Sequence, residues 1–395
     1  MISFDEAVAI ICSLRGGLGK ETVGLGDAHH RVLAEPVIAR VHSPPTDVSA
    51  MDGYAVRDHD VAQLPARLPV AGQSFAGAGY DTELAEGTTV RIFTGAPVPA
   101  GADRVIIQEI VNRDGNIAIF ANAPGQARHI RPRSSDFAAG TPLIEPGTRL
   151  GYRHLVAAAG ADLSDLTVWR RPRVIILGTG DELAEPGTSA DTPGTIPESV
   201  SFGVAALATD WGGQVLARRR LRDDLPAMKV AATEAVTKGD LVVVTGGASV
   251  GERDFAKTMF EDVGLHLLFE KVAIKPGKPV WLGQAGSTYI MGLPGNPTSA
   301  LVTARLLMAP LLAGLSGMDP ESALAWITIP VTSPLPSCGD RETFVRARFE
   351  DKGVVPASNQ DSSAQHTLAE SDALIRRLPG GPEANAGDEV QALNF

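Results

Sequence analysis

Three short and almost uninterrupted apolar runs constrain this chain more than anything else in it: VIIL at 174–177, LVVV at 241–244 and YIMG at 289–292. A strand with one wet face alternates apolar and polar residues, so runs without alternation must be covered on both faces. The segments 199–211, 225–237 and 298–315 have the length and content of the covering helices. Together they predict a doubly wound parallel sheet over 171–318, and such sheets bind ligands in loops beyond the carboxyl ends of their strands.

Each of those strands runs into a glycine-rich or proline-rich loop. The first continues into Gly178, Thr179, Gly180, Asp181 and Glu182, where glycines let a ligand approach the backbone and the acids offer metal ligands or acceptors. The second continues through Gly246, Gly247, Ser249 and Gly251 to Asp254, followed by a helix-like 255–260. That is a phosphate-type site if free N–H groups open a helix there, with Asp254 either capping the helix or holding Mg²⁺. The loop KPGKP at 275–279 restrains Lys275 and Lys278 and suits a small oxyanion. Residues 292–299 (GLPGNPTS) again pass from strand to helix, where Ser299 could cap the helix or donate to an anion. Any one of these loops is explained by turn and cap chemistry; their arrival at one edge of a single sheet points to a site.

The remaining chain has a different texture. Residues 4–40 read as a short helix, spaced by Ala7, Ile10, Ile11 and Leu14, then a glycine-rich break. Residues 48–132 carry short apolar runs at 68–70, 89–93, 104–107 and 116–120 between Gly, Pro and Asn, the mark of a small β domain. After Gly317, 326–331 and the alternating 344–349, with Val345, Ala347 and Phe349 on one face, predict a C-terminal β-barrel or sandwich. The expected organisation is therefore a helical and extended N-terminal unit (1–47 with 133–170), an inserted β domain (48–132), the α/β domain (171–318) and a β domain (319–395).

Composition removes several alternatives. A net charge of −11 disfavours nucleic acid, which is bound through clustered Lys and Arg; Arg218, Arg219 and Arg220 read better as a solvated strand or loop face. No apolar run approaches the ~20 residues of a membrane span, and the acidic start lacks the basic and apolar regions of a secretory signal, so a cytoplasmic location is expected. The two cysteines, Cys12 and Cys338, form neither a disulfide framework nor a zinc motif.

The segment 44–56 (PPTDVSAMDGYAV) resembles the N-terminal signature of the MoeA family. Residues 91–99, 178–183, 245–254, 274–279 and 292–297 resemble that family, and the homologous gephyrin E domain, in the same order. The resemblance spans nearly the whole chain. It implies molybdenum cofactor biosynthesis: a transferase that takes adenylated molybdopterin and molybdate, cleaves the phosphoanhydride with Mg²⁺, and releases molybdenum cofactor and AMP. It also implies the four-unit fold described above, closed by a C-terminal β-barrel, and an elongated homodimer whose cleft is shared between subunits. An adenylyltransferase of the MogA type and apo-molybdoenzymes would be its partners.

Carried over by motif, Asp52 and Thr94 would face the cleft, and Glu182, Asp223 and Asp254 would bind Mg²⁺ or position the phosphate. Lys271, Lys275, Lys278, Pro294, Pro297 and Ser299 would line the pterin and molybdate region, with Arg341 and Ser362 near the oxyanion. Two departures from the family pattern stand out: Ser134-Ser135-Asp136 replaces a Gly-Glu-Asp-like run, and Glu198-Ser199-Val200 replaces an Asp-Ser-Asn-like one. A cofactor-binding carrier without insertion activity is the second reading; a scaffold is a third, and the charged Lys-Pro-Gly-Lys loop argues against it.

Overall fold

The computed structural model describes residues 1–14, 16–246 and 255–395; Gly247, Ser249, Gly251 and Asp254 lie outside the described residues. The first apolar run is the middle of Arg173–Thr179 (β1), followed by Gln214–Leu221 (β2), Leu241–Thr245 (β3), His266–Phe269 (β4), Trp281–Ala285 (β5) and Thr288–Leu293 (β6). The sheet order is β2-β1-β3-β6-β5-β4, with β2, β1, β3 and β6 parallel and β5 antiparallel to both neighbours. Val174, Ile176, Leu241 and Val243 pack on one face against the helices Val200–Asp210 and Pro297–Leu315. Ile175, Leu177, Val242 and Val244 pack on the other against Met228, Ala232 and Ala235 of the helix Leu225–Lys238. Both faces are thus covered, which is why these strands do not alternate.

The sequence reading differs from the structure in three places. The sheet is mixed, because β5 and β6 form a hairpin about Gly286. The arginines 218–220 lie, as the sequence reading has it, on a solvated strand, the edge strand β2. The helix-like 255–260 is instead a short 3-10 run, Thr258–Val263, so among the described residues no long helix dipole follows the second glycine loop. The apolar helix Pro297–Leu315 is long enough to cross a membrane, but 94% of its apolar window is buried in this core. Its middle turn, Ala304–Met308, is π-helical; the wider turn accommodates Pro310, which has no N–H and crowds the carbonyl four residues earlier.

The inserted region forms a six-stranded sheet from Gly53–Val56, Ala66–Ser74, Thr89–Ile92, Arg104–Ile107, Val111–Asp114 and Ile117–Phe120. At the C-terminus Glu342–Glu350, Gly353–Pro356, Ala373–Arg377, Glu389–Asn394 and Ile327–Pro330 form a sheet that the Val331–Val354 bridge closes into a barrel. Ile274–Lys275, from the α/β region, adds to it as a strand beside Glu342–Thr343. The first helix, Phe4–Ser13, is capped by Ser3 and Glu6 in a reciprocal box. Phe4, Ala7 and Ile11 sit in the core of the α/β sheet and not with the strands that follow them in sequence.

Where the N-terminal region hands over to β1, Asp240 accepts hydrogen bonds from the guanidiniums of Arg170 (2.9 and 3.0 Å) and Arg173 (3.2 and 3.2 Å) and from the Arg173 N–H. Burial pushes its pKa up, but these donors outweigh burial and bring it down to about 2. A depressed carboxylate pKa gives stability that is full above the ordinary value near 4 and is lost as pH falls toward 2. Asp240→Asn should therefore melt below the wild type at neutral pH, with the gap closing between about pH 4 and pH 2. Melting temperatures across that range test this; a gap independent of pH would show that the ionised carboxylate is not the source.

Candidate functional site

β1 is followed by β2 on one side of it and β3 on the other, so the chain reverses direction between β1 and β3, the place where open α/β sheets form a crevice. A cavity of about 1130 Å³ opens there. Thr179 and Gly180 end β1, Thr245 and Gly246 end β3, and Pro294 to Pro297 follow β6, all lining it. The Thr179 hydroxyl is not free for a ligand, since it donates to the Thr245 carbonyl at 3.3 Å and ties the two strand ends together. Gly246 has φ +91, and a Cβ there would lie 2.4 Å from the Thr179 carbonyl oxygen, so only glycine fits this approach.

The charged side chains of the cavity divide between two walls. Glu182, Asp223 and Glu198 follow the β1 and β2 ends, while Lys257, Lys271 and Lys278 come from the segments before β4 and β5. Lys257 pairs with Glu270 at 2.9 Å. The side chains of Lys271 and Lys278 have no hydrogen-bond or ion-pair partner among the described residues, so their charge is available to an anion. Trp281, Asn296, Ser363 and Gln365 complete the lining. The described residues contain no group of three or more His, Cys, Asp or Glu poised for a metal.

Comparison with known proteins agrees with this geometry. Residues 2–161 match the MoeA N-terminal region (domains I and II), 175–314 a "Probable molybdopterin binding domain", and 328–395 the MoeA C-terminal region (domain IV). A molybdopterin molybdenumtransferase of Haemophilus influenzae is 40% identical over 75% of this chain and 73% of its own length. Molybdopterin molybdenumtransferase 2 of Mycobacterium tuberculosis is 34% identical over 100% of both chains. The chain belongs to the MoeA family. The molybdopterin biosynthesis MoeA protein of Pyrococcus horikoshii OT3 superposes with a TM-score of 0.86 at 26% identity, over 100% of both chains.

Several residues that the MoeA resemblance nominates lie elsewhere. Gly178 is inside β1, and Asp181 accepts the Asp223 N–H at 3.2 Å outside the cavity lining. Lys275 is drawn off by pairing with Thr343, and Arg341 donates to the Ile274 carbonyl at 3.4 Å; neither lines the cavity. Ser299 is buried in the first turn of its helix, where Asn296 and not Ser299 is the N-cap residue. Ser362 braces the rim, accepting from the Asn296 side chain at 3.0 Å and, through its carbonyl, from Thr298 N–H at 3.3 Å. Asp52 and Thr94 meet each other in the inserted sheet region: the Thr94 N–H and hydroxyl both donate to one Asp52 oxygen at 2.8 Å and lower its pKa.

Sequence reasoning missed the Lys257–Glu270 pair, Trp281, Asn296, Ser363 and Gln365 as lining residues. It also passed over the buried Arg346, whose guanidinium donates to the carbonyls of Asn359, Asp361 and Ala364 and so shapes the loop bearing Ser363. An arginine in a strand pattern gives no sign of this. At the departure from the MoeA pattern, Glu198 is 7% exposed and accepts the Ser201 N–H (2.8 Å) and hydroxyl (2.5 Å), while Val200 lines the cavity beside it. Glu198→Ala should remove a cap worth about 0.5–2 kcal/mol and lower the melting temperature correspondingly. An unchanged melting temperature would show that the carboxylate does not hold this helix start.

Proposed function

We propose that the protein is a molybdopterin molybdenumtransferase of molybdenum cofactor biosynthesis, taking adenylated molybdopterin and molybdate into the cleft and releasing molybdenum cofactor and AMP. The observation that carries this reading is the pair of unpartnered lysines, Lys271 and Lys278, facing Glu182 and Asp223 across the switch point of a MoeA sheet. Molybdate is a dianion, and ammonium groups can replace its hydration by charge-assisted hydrogen bonds. Concentrating them in one crevice lets a chain of net charge −11 attract anions locally. The carboxylate wall fits the other requirement. Glu182 has no partner among the described residues, and two carboxylates with phosphate oxygens and water suit Mg²⁺. Glu182 and Asp223 would hold the ion, with Asp254 as the third carboxylate that the MoeA resemblance nominates, and when bound it supplies charge neutralisation at the anhydride. Lys271 and Lys278 hold the oxyanion, and Trp281 and the Pro294 to Pro297 rim limit water at the pterin.

The functional unit in this reading is a homodimer, in which Asp52 and Thr94 complete the cleft of the second subunit. Its substrate comes from an adenylyltransferase of the MogA type, its product goes to apo-molybdoenzymes, and all of this takes place in the cytoplasm.

AMP release from adenylated molybdopterin with Mg²⁺, with and without molybdate, tests the reading together with activation of an apo-molybdoenzyme. Molybdate-stimulated release is expected; tight pterin binding without cleavage would leave a carrier instead. Lys278→Ala should lower kcat/KM for molybdate by roughly 10- to 100-fold, the worth of a hydrogen bond to a charged group, with less effect on binding of the adenylated pterin. An unchanged molybdate dependence would remove Lys278 from the oxyanion site.

A further inference from the structure

A second charged cavity, of about 420 Å³, lies at the opposite edge of the central sheet, where Arg173 begins β1 and Gln214 begins β2. The seven residues of β1 separate it from the cleft by roughly 20 Å at about 3.3 Å per residue. Its other walls are Glu21, Asp27 and Arg31 of the N-terminal region and the connecting residues Arg170 and Arg171. The volume is at the small end of ligand sites, about 300–1,000 Å³.

The charges do not balance within this cavity. Arg170 and Arg173 share the single carboxylate of Asp240. Arg31, 8% exposed, gives one Nη to Glu21 and to the Trp169 carbonyl, but its buried Nε has no partner. Arg171 makes no side-chain hydrogen bond or ion pair among the described residues. Four guanidiniums therefore meet three carboxylates, those of Glu21, Asp27 and Asp240. Buried donors are nearly always paired, so a buried guanidinium N–H left open beside a second, unpaired arginine asks for an acceptor. The guanidiniums of Arg31 and Arg171, which line the same cavity, match the tetrahedral oxygens of a phosphoryl-type anion better than they match a lone carboxylate.

We propose that this cavity is a second anion site, taking a doubly charged tetrahedral oxyanion, either free or as the phosphoryl end of a nucleotide, between Arg31 and Arg171. Arg31 belongs to the N-terminal region, Arg171 to the connection, and Gln214 to the α/β sheet, so the bound anion ties the two regions together. Such a ligand stabilises the fold from outside the cleft, whatever chemistry the cleft performs.

The test is thermal unfolding of the full chain with inorganic phosphate or AMP, each against sodium chloride at matched ionic strength. At about ten times its dissociation constant the anion should raise the melting temperature by roughly 2 °C. Because the cleft can also take anions, Arg171→Ala and Lys278→Ala are compared. A rise should persist in Lys278→Ala and be lost from that variant when Arg171→Ala, at an exposed position, is added. A rise with phosphate assigns the free oxyanion, and a rise with AMP alone assigns the nucleotide. The proposal is overturned if sodium chloride gives the same rise, if neither anion gives one, or if the rise in Lys278→Ala survives the addition of Arg171→Ala.

Discussion

The basic wall of the cleft depends on how one segment, Lys271 to Lys278, is pinned. Its start is bridged to Ile2: the Ile2 N–H donates to the Lys271 carbonyl at 2.9 Å and the Ala273 N–H to the Ile2 carbonyl at 2.8 Å. Its middle is a strand of the C-terminal barrel, with the Glu342 N–H donating to the Ala273 carbonyl at 3.0 Å. Arg376 then joins the parts, bonding the buried Glu342 and Asp5 (2.7 Å) while lying over the rings of Phe4 and Trp326. Lysine side chains are long and flexible, so a fixed backbone is what makes two of them act at one place. The chain's first residues and its last domain are therefore part of the site, although neither contributes a lysine to it.

The sheet supplies the other half of the geometry. Parallel strands place their carboxyl ends together, and close packing there needs residues without side chains. Gly246 approaches Thr179, and Gly292 leaves room for Trp281, whose Nε1 would lie 2.0 Å from a Cβ at that position. The same topology gathers the amino ends at the other edge, where Arg170, Arg173 and Asp240 form a network. Arginines can crowd there because Arg173 at the start of β1 and Arg170 in the connection leading into it converge on one carboxylate, that of Asp240 just before β3.

The runs at 174–177, 241–244 and 289–292 were legible as a doubly covered sheet because burial on both faces leaves no alternation to misread. β2 was legible only as a solvated strand or loop face, because an edge strand carrying three arginines has the composition of a surface loop. Glu182 and Lys278 could be placed by their strand-end loops, which fall on one edge whatever the details of packing, whereas Asp223 and Lys271 were reached only through the MoeA resemblance. Lys275 could not: its strand partner is Thr343, almost seventy residues further on, and no local pattern encodes that pairing. Ser299 was misplaced for a smaller reason. Asn296 precedes Pro297, and proline is favoured at the first helical position, so the helix begins earlier than a serine cap would require.

An overall charge of −11 says little about the cleft, because exposed charges beyond about 8–10 Å are largely screened while those within it are not. At an effective dielectric near 20 a pair of unit charges 4 Å apart interacts by about 4 kcal/mol, enough for local arrangement to decide what binds. Against the lysine wall an anion is attracted. Against Glu182 and Asp223 the same anion is repelled unless a cation is shared with them. Two walls of opposite charge therefore favour a ligand that carries both charges over one that is only an anion or only a cation.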